Sequence, residues 1–277
     1  MSPIPARPAA ATDHARLLGA IAEAVREAGE AALEVYRRHC ASSVEVEAKG
    51  DGSPLTEADL LVDRLLGVAL ARIAPDIPVV TEERADSQAG AAPERFFLID
   101  PVDGTKEFVR RAHEWTVNVG LIENGVPTLG VIAAPALGRL FGADPGGAWE
   151  REAAGGRRAM RVRAVPESGV ECVASKSHRT PETDAFIAAN GIERTVSAGS
   201  SLKFCLLASG EADIYPRFGP TMEWDTAAGD AILRAAGGSV RSLEGGAPGD
   251  PLAYGKPGWR NPHFLAVSPH CPFRMAA

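Results

Sequence analysis

Between residues 77 and 141 the apolar residues stop recurring at helical steps and fall into short blocks, at 77–80, 96–100, 116–123, 126–133 and 139–141. Blocks of this length, bounded by turn residues, predict strands. Asn124-Gly125 separates two of them, and Asn-Gly is the pair that the tightest hairpins accept. Five strands in succession, one pair closed by a two-residue turn, predict an antiparallel-rich sheet. Such a sheet buries a face only if something covers it.

The covering helices are legible upstream. From Thr12 the residues Leu17, Leu18, Ile21, Val25, Ala28, Ala32 and Val35 recur at three- and four-residue steps, which predicts a long amphipathic helix. A short strand is expected at 43–47, then a polar loop at 49–54. A second helix is expected from Thr56, with Asp59 in capping-box position and Leu60, Leu61, Leu65, Leu66, Leu70 and Ile73 as its buried face. After Gly155-Gly156 strands and helices alternate: strands at 171–174, 194–197 and 212–215, helices at 182–190, 201–209 and 226–236. Alternation of this kind predicts a partly parallel sheet. The fold class is therefore α/β, an α+β layered sandwich with an antiparallel-rich N-terminal sheet and a smaller C-terminal α/β lobe.

With 45% hydrophobic and 23% charged residues, the 277-residue chain has ample material for a core. Its 29 basic and 36 acidic residues give a net charge of −7, and no Lys/Arg cluster exceeds a pair, which argues against a nucleic-acid polymer as partner. Cys40, Cys172, Cys205 and Cys271 lie too far apart for zinc spacing and are expected to be reduced thiols. No run of eighteen apolar residues occurs, and charges interrupt the first thirty residues where a secretory leader would need an apolar stretch. A cytoplasmic location is expected, with peripheral association with the inner membrane left open.

The chemistry concentrates in acids. Asp100-Pro101-Val102-Asp103-Gly104-Thr105 follows the apolar run 96–99, so a strand delivers Asp100 to a sheet edge and the turn can bring Asp103 to the same point. Two carboxylates and the Val102 carbonyl are hard oxygen donors suited to Mg²⁺, although Asp-Pro and Asp-Gly are also ordinary turn dipeptides. Glu82 leaves the strand at 77–80 and is either a third donor or a solvated loop acid. Asp225 precedes a helix and reads equally as an N-cap, and Asp59 reads as a capping-box acid. Gly199-Ser200-Ser201-Leu202-Lys203 places backbone donors, hydroxyls and a cation at a helix start, which favours an anion, and Arg217 offers a fork suited to phosphate. His113-Glu114 lacks the second histidine of a zincin, and residues 249–256 do not have P-loop spacing.

These motifs resemble the inositol-monophosphatase-like superfamily of Mg²⁺-dependent, lithium-sensitive phosphatases. Its two signatures, Asp-Pro-hydrophobic-Asp-Gly-Thr and Trp-Asp-x-Ala-Ala-Gly, stand at 100–105 and 224–229, with Val102 where Leu or Ile is usual. Lys106-Glu107-Phe108, the segment 199–205 and the segment 215–221 are similar to the 3′(2′),5′-bisphosphate nucleotidases within it. The likeness runs from residue 14 to residue 268. It implies two or more Mg²⁺ ions held by Glu82, Asp100, the Val102 carbonyl, Asp103 and Asp225, with Thr105 and Asp59 acting on the attacking water. Substrate would meet Glu82, Val102, Asp103, Gly104, Thr105, His178, Ser200, Lys203, Arg217 and Asp225, the segment 175–178 resembling one that contacts nucleotide.

The resemblance implies hydrolysis of adenosine 3′,5′-bisphosphate to AMP and phosphate in sulfur assimilation, and of its sulfated form by the same cleavage. Alternatives are an inositol or sugar monophosphatase on the same scaffold, or a non-catalytic nucleotide-binding regulator. The expected division is a metal-binding lobe at 12–155 and a second lobe at 156–268 that completes the site. Residues 1–11 and 269–277 are expected to be flexible tails.

Overall fold

A computed structural model describes residues 9–42, 46–48, 54–152, 155–175, 179–243, 248–269 and 271–274. Helix α1 (Ala9–Ala41) begins three residues before the expected start and buries all seven apolar positions read from its period. Strands β1 (Val46–Ala48) and β2 (Pro54–Thr56) pair antiparallel. Residues 43–45 of the first expected strand, and 49–53 of the expected loop, lie outside the described residues.

Helix α2 (Glu57–Ile73) opens with the expected capping box: the Thr56 hydroxyl accepts from the Ala58 amide, and Asp59 accepts from the Thr56 amide. Its buried face includes Leu66 and Leu70 of the expected stripe, with Leu61 and Ile73 partly buried against the same core. Ala58, Asp59, Val62, Asp63, Leu66 and Leu70 face inward, while Leu60 and Leu65 are 48% and 40% exposed. Its inward side also carries two acids four residues apart, each with partners inside. Asp63 takes hydrogen bonds from the Thr81 hydroxyl at 2.7 Å and from Arg84 Nε at 2.9 Å, and Asp59 from Thr56 and Thr105. A buried carboxylate is tolerated only with such partners, so the leucine count finds part of the stripe and misses its acids.

Seven strands form the large sheet in chain order: β3 (Val79–Thr81), β4 (Arg95–Asp103), β5 (Thr116–Glu123), β6 (Val126–Ala134), β7 (Arg139–Asp144), β8 (Gly147–Arg151) and β9 (Arg157–Met160). Only the β3–β4 pair is parallel. Asn124 and Gly125 have φ of 51° and 77°, the left-handed pair that closes the β5–β6 hairpin. The β8–β9 hairpin was not legible in the apolar pattern, and residues 155 and 156 fall between its strands, so this sheet continues to Met160.

The second sheet has the order β11 (Arg194–Ala198), β10 (Glu171–Ser175), β12 (Ile214–Arg217), β14 (Phe264–Val267), β13 (Ser239–Ser242). Its β10 pairs are parallel and its β14 pairs antiparallel. The remaining helices are α3 (Thr105–Val109), α4 (Pro181–Ala189), α5 (Leu202–Ala208) and α6 (Ala227–Ala235).

Three apolar clusters define the layers. Alternate residues of β4 face opposite ways: Phe97 and Ile99 pack with α1 and α2, while Phe96 and Leu98 join a core shared with α5, α6 and the inner face of the second sheet. Phe186 and Ile187 of α4 close the outer face of that sheet with Ile214 and Leu265. The order is α, β, α, β, α. The segment 271–274, expected as part of a flexible tail, is packed: Cys271 is buried, and Asn190 exchanges two hydrogen bonds with the Arg274 backbone.

Helix α6 lies unusually close to the large sheet. Gly120 and Gly130 face each other across β5 and β6, and a Cβ on Gly130 would meet the Ala228 carbonyl oxygen at 2.3 Å. Backbone cannot yield as a flexible side chain does. Gly130→Ala is expected to cost about 1–3 kcal/mol through displaced packing, read as a lower denaturant midpoint. An unchanged midpoint would show that α6 can slide freely on the sheet.

Candidate active site

A cavity of 290 Å³ opens where the carboxyl end of β4 meets the turns before α5 and α6. Glu82, Asp100, Asp103 and Asp225 line it together with Lys203 and Arg217.

The first two aspartates owe their convergence to an irregularity in β4. Asp100 pairs with Asn118 and Asp103 with Thr116, so two residues of β4 oppose one of β5. In a regular strand residues three apart point to opposite faces. The extra residue of this bulge turns Asp103 to the side of Asp100, while Val102 remains in the core against α1 and α2. Gly104, with φ of 90°, then starts α3 and leaves no room for a side chain, since a Cβ would lie 2.2 Å from the Ser200 hydroxyl. Glu82 follows β3 directly, its amide bonded to the Ile99 carbonyl at 3.3 Å.

Thr105 opens α3 with its hydroxyl between two acceptors, Asp59 Oδ1 at 3.3 Å and the Val102 carbonyl at 3.0 Å. Asp59 therefore has both roles open to it from the sequence: Oδ2 serves the capping box of α2 and Oδ1 faces Thr105. Asp225 is not an N-cap. Thr226 holds that position in α6, and Asp225 Oδ2 instead accepts the Met222 amide at 2.9 Å. The turn carrying it is anchored by Glu223, fully buried, which accepts the amides of Gly255 and Lys256 and pairs with the Lys256 ammonium at 2.6 Å.

The glycine-serine turn before α5 is occupied differently from its sequence reading. The Ser200 side chain lies within donating distance of the carbonyls of Asp103 (2.7 Å) and Glu114 (2.9 Å), so it ties loops together. The Ser201 amide donates to Asp103 Oδ2 at 2.5 Å. Lys203 is buried over the Tyr215 ring, and its ammonium donates to the Ser200 carbonyl at 2.5 Å. Arg217, also buried, donates from Nη2 to the Pro220 carbonyl at 3.0 Å, while its Nε has no hydrogen-bond partner among the described residues. His178 lies outside the described residues.

Burial and neighbouring charges shift several of the groups that line the cavity. Burial pushes the Asp225 carboxyl up to about 8, with the charges of Asp103 and Glu82 adding to it. Burial raises Asp103 to about 6 against the pull of Lys203 and the Ser201 amide. Burial lowers Lys203 to about 8, opposed by Asp103 and helped by Arg217. Acids that resist ionisation together form a site that a cation relieves; cations that resist charging form one that an anion relieves.

The donor set fits Mg²⁺. Its members are carboxylate and carbonyl oxygens gathered in one cavity, although among the described residues no three His, Cys, Asp or Glu side chains form a ready-made metal cluster. An open rim of few acids is the arrangement that Mg²⁺ shares with waters and phosphate oxygens. Glu107, buried and lining the same cavity, and Ser201 stood in quoted motifs without a role of their own, and Asn118, which accepts the Ser201 hydroxyl, was not singled out. The available signal was polarity in the wrong place, since Thr116 and Asn118 interrupt an otherwise apolar strand.

A five-layer sandwich that gathers carboxylate oxygens and two buried cations in one cavity is the frame of a phosphatase. The chain belongs to the inositol monophosphatase family, which matches residues 13–266. It is 41% identical over 230 residues to the 3′(2′),5′-bisphosphate nucleotidase CysQ of Escherichia coli (strain K12), covering 83% of this chain and 92% of that one. Its identity to the Salmonella typhimurium (strain LT2) enzyme of the same name is 43% over 230 residues, with the same coverage. The crystal structure of CysQ from Bacteroides thetaiotaomicron superposes with a TM-score of 0.71 at 36% identity, covering 90% of this chain and 97% of that one. Among the described residues no helix is long and apolar enough to cross a membrane.

Proposed function

We propose that this chain hydrolyses adenosine 3′,5′-bisphosphate to AMP and phosphate in sulfur assimilation, and the sulfated form of that nucleotide by the same cleavage. The observation that carries the reading is the pairing, in one cavity, of four acids with two buried cations. Kinship to enzymes named bisphosphate nucleotidases supports the choice of substrate.

Glu82, Asp100, the Val102 carbonyl, Asp103 and Asp225 would hold two or more Mg²⁺ ions. Bound there, Mg²⁺ supplies a more acidic water and neutralises charge on the departing oxygen. The residues do the rest. Asp59, buried and fixed by Thr56, accepts the Thr105 hydroxyl hydrogen and so aims the hydroxyl oxygen. That oxygen is placed to take a hydrogen bond from the attacking water and pass its proton toward Asp59. Gly104 and Thr105 line the same cavity and would border the transferred phosphate, and Arg217 and Lys203, which line it too, would serve the phosphate that is retained.

Thr105→Ala is expected to lower kcat by about 10²–10⁴-fold, the usual range for a lost proton-transfer group. The Mg²⁺ concentration for half-maximal activity should hardly move. Loss through weakened Mg²⁺ binding alone would contradict the assignment. The whole reading is tested by phosphate release, at fixed Mg²⁺, from adenosine 3′,5′-bisphosphate, its sulfated form, inositol 1-phosphate and sugar monophosphates. Highest kcat/KM on the bisphosphates is expected; highest on inositol phosphate would transfer the chain to the monophosphatase branch, and no release from any would leave a nucleotide-binding regulator.

A further inference from the structure

We infer that Asn261 is a positioning residue for the cation site: it grips both flanks of Asp225 and so sets the direction in which that carboxylate faces the cavity. The inference rests on the cation-binding role proposed above for Asp225.

Asp225 stands in the turn between β12 and α6, where no strand pairing aims its side chain. Its Oδ2 accepts the Met222 amide at 2.9 Å, and its own amide donates back to the Met222 carbonyl at 3.3 Å. The carboxylate therefore follows Met222. What fixes Met222 comes from the segment that leads into β14. Met222 and Arg260 form an antiparallel bridge, with the Glu223 amide donating to the Trp259 carbonyl at 2.8 Å and the Asn261 amide to the Thr221 carbonyl at 3.0 Å. Trp259 has a φ of 58°, which a bulky residue seldom adopts. Such strain persists only where the surroundings over-determine it. Here the Trp259 ring is buried edge-on against Phe96, and its Nε1 donates to the Gln88 carbonyl at 2.9 Å.

The Asn261 side chain completes the hold. It is 6% exposed, and its Nδ2 donates to the Met222 carbonyl at 2.7 Å and to Thr226 Oγ1 at 3.0 Å. The Thr226 hydroxyl gives its own hydrogen to the Glu223 carbonyl at 3.2 Å, so toward Asn261 it is an acceptor. The Lys256 ammonium donates to Asn261 Oδ1 at 3.3 Å, which assigns the other end of the amide. One buried amide thus ties the residue that holds the Asp225 carboxylate to the residue that follows Asp225 in the chain. Hydrogen bonds behind a metal-binding carboxylate orient it, and their loss costs about 10–100-fold in metal affinity.

The test reads cation binding without turnover. Metal-free wild type, Asn261→Asp, Asn261→Ala, Asp225→Asn and the double variant of Asn261→Ala with Asp225→Asn are titrated with Mn²⁺, free ion being counted by electron paramagnetic resonance, and thermal melting reports folding. Asn261→Asp keeps the shape and loses the donors; if it does not fold, Asn261→Ala decides. Both are expected to bind Mn²⁺ about 10–100-fold more weakly than wild type. The double variant should match Asp225→Asn within about twofold, because Asn261 acts through a carboxylate that is no longer there. Losses that multiply in the double variant would assign Asn261 to general packing and overturn the inference, as would unchanged Mn²⁺ binding in a folded Asn261 variant. Asp225→Asn separates the inference from the reading beneath it. If that variant binds Mn²⁺ as wild type does, the cation role of Asp225 falls and the inference with it; if it binds weakly while the Asn261 variants bind normally, the inference alone fails.

Discussion

Asp100→Asn is expected to reduce kcat by at least about a thousandfold while the protein remains folded. Asp100 ends the regular part of β4, is 2% exposed, and is one of the acids proposed to hold Mg²⁺. A neutral amide of the same shape keeps the packing and removes the charge. Metal stabilisation of a phosphoryl transition state is worth several kcal/mol, and about 4 kcal/mol already corresponds to a thousandfold. The metal-free variant should melt at or above the wild-type temperature, because a cavity that also holds Glu82, Asp103 and Asp225 loses one repelling charge. Steady-state assays across Mg²⁺ concentrations, paired with melting curves, separate the two effects. Near-normal turnover would remove Asp100 from the metal site and the assignment with it.

Arg217→Ala is expected to split two substrates. A bisphosphate leaves one phosphate uncleaved, and the charge-assisted hydrogen bonds that hold it are worth about 1.5–3 kcal/mol, or roughly 10–150-fold in kcat/KM. A monophosphate lacks that group and should be nearly indifferent. Arg217 is the better probe of the pair with Lys203. Its guanidinium spends one donor on the Pro220 carbonyl, whereas the Lys203 ammonium holds the Ser200 carbonyl and so supports the turn that fixes Asp103. Replacing Lys203 would mix substrate binding with damage to the turn. The measurement is kcat/KM of wild type and Arg217→Ala on adenosine 3′,5′-bisphosphate and on inositol 1-phosphate. Equal losses on both would assign Arg217 to the common site and leave the nucleotide preference without a residue to explain it.

Local rules were strong wherever a residue answers only to its neighbours in the chain. The α1 stripe, the Thr56 capping box and the Asn124-Gly125 hairpin all form as their sequence predicts, because periodicity, cap and turn each act over a few residues. Strands β8, β9, β13 and β14 and the short α3 were not read. They are four to five residues long, and their pairing partners, not their own patterns, stabilise them. For α2 the leucine count held at Leu66 and Leu70 but not at Leu60 and Leu65, since Asp59 and Asp63 also turn inward to meet Thr105, Thr81 and Arg84, partners from distant parts of the chain.

The amino-acid sequence by itself determined which acids are available and which strand ends carry them, because residue type and strand period are local properties. It also carried the order of the two signatures and hence the family. Whether Asp100 and Asp103 face one way was decided only by the β4 bulge against β5, which exists through pairing with a second strand. Ser200 reads from sequence as a ligand donor, yet the approach of Gly104 and two carbonyls consumes its hydroxyl. Asp225 reads as a cap, yet the close seat of α6 on Gly120 and Gly130 carries it into the cleft, where burial and neighbouring acids raise its pKa. Burial and convergence are properties of the packed sandwich, and no stretch of the chain encodes them alone.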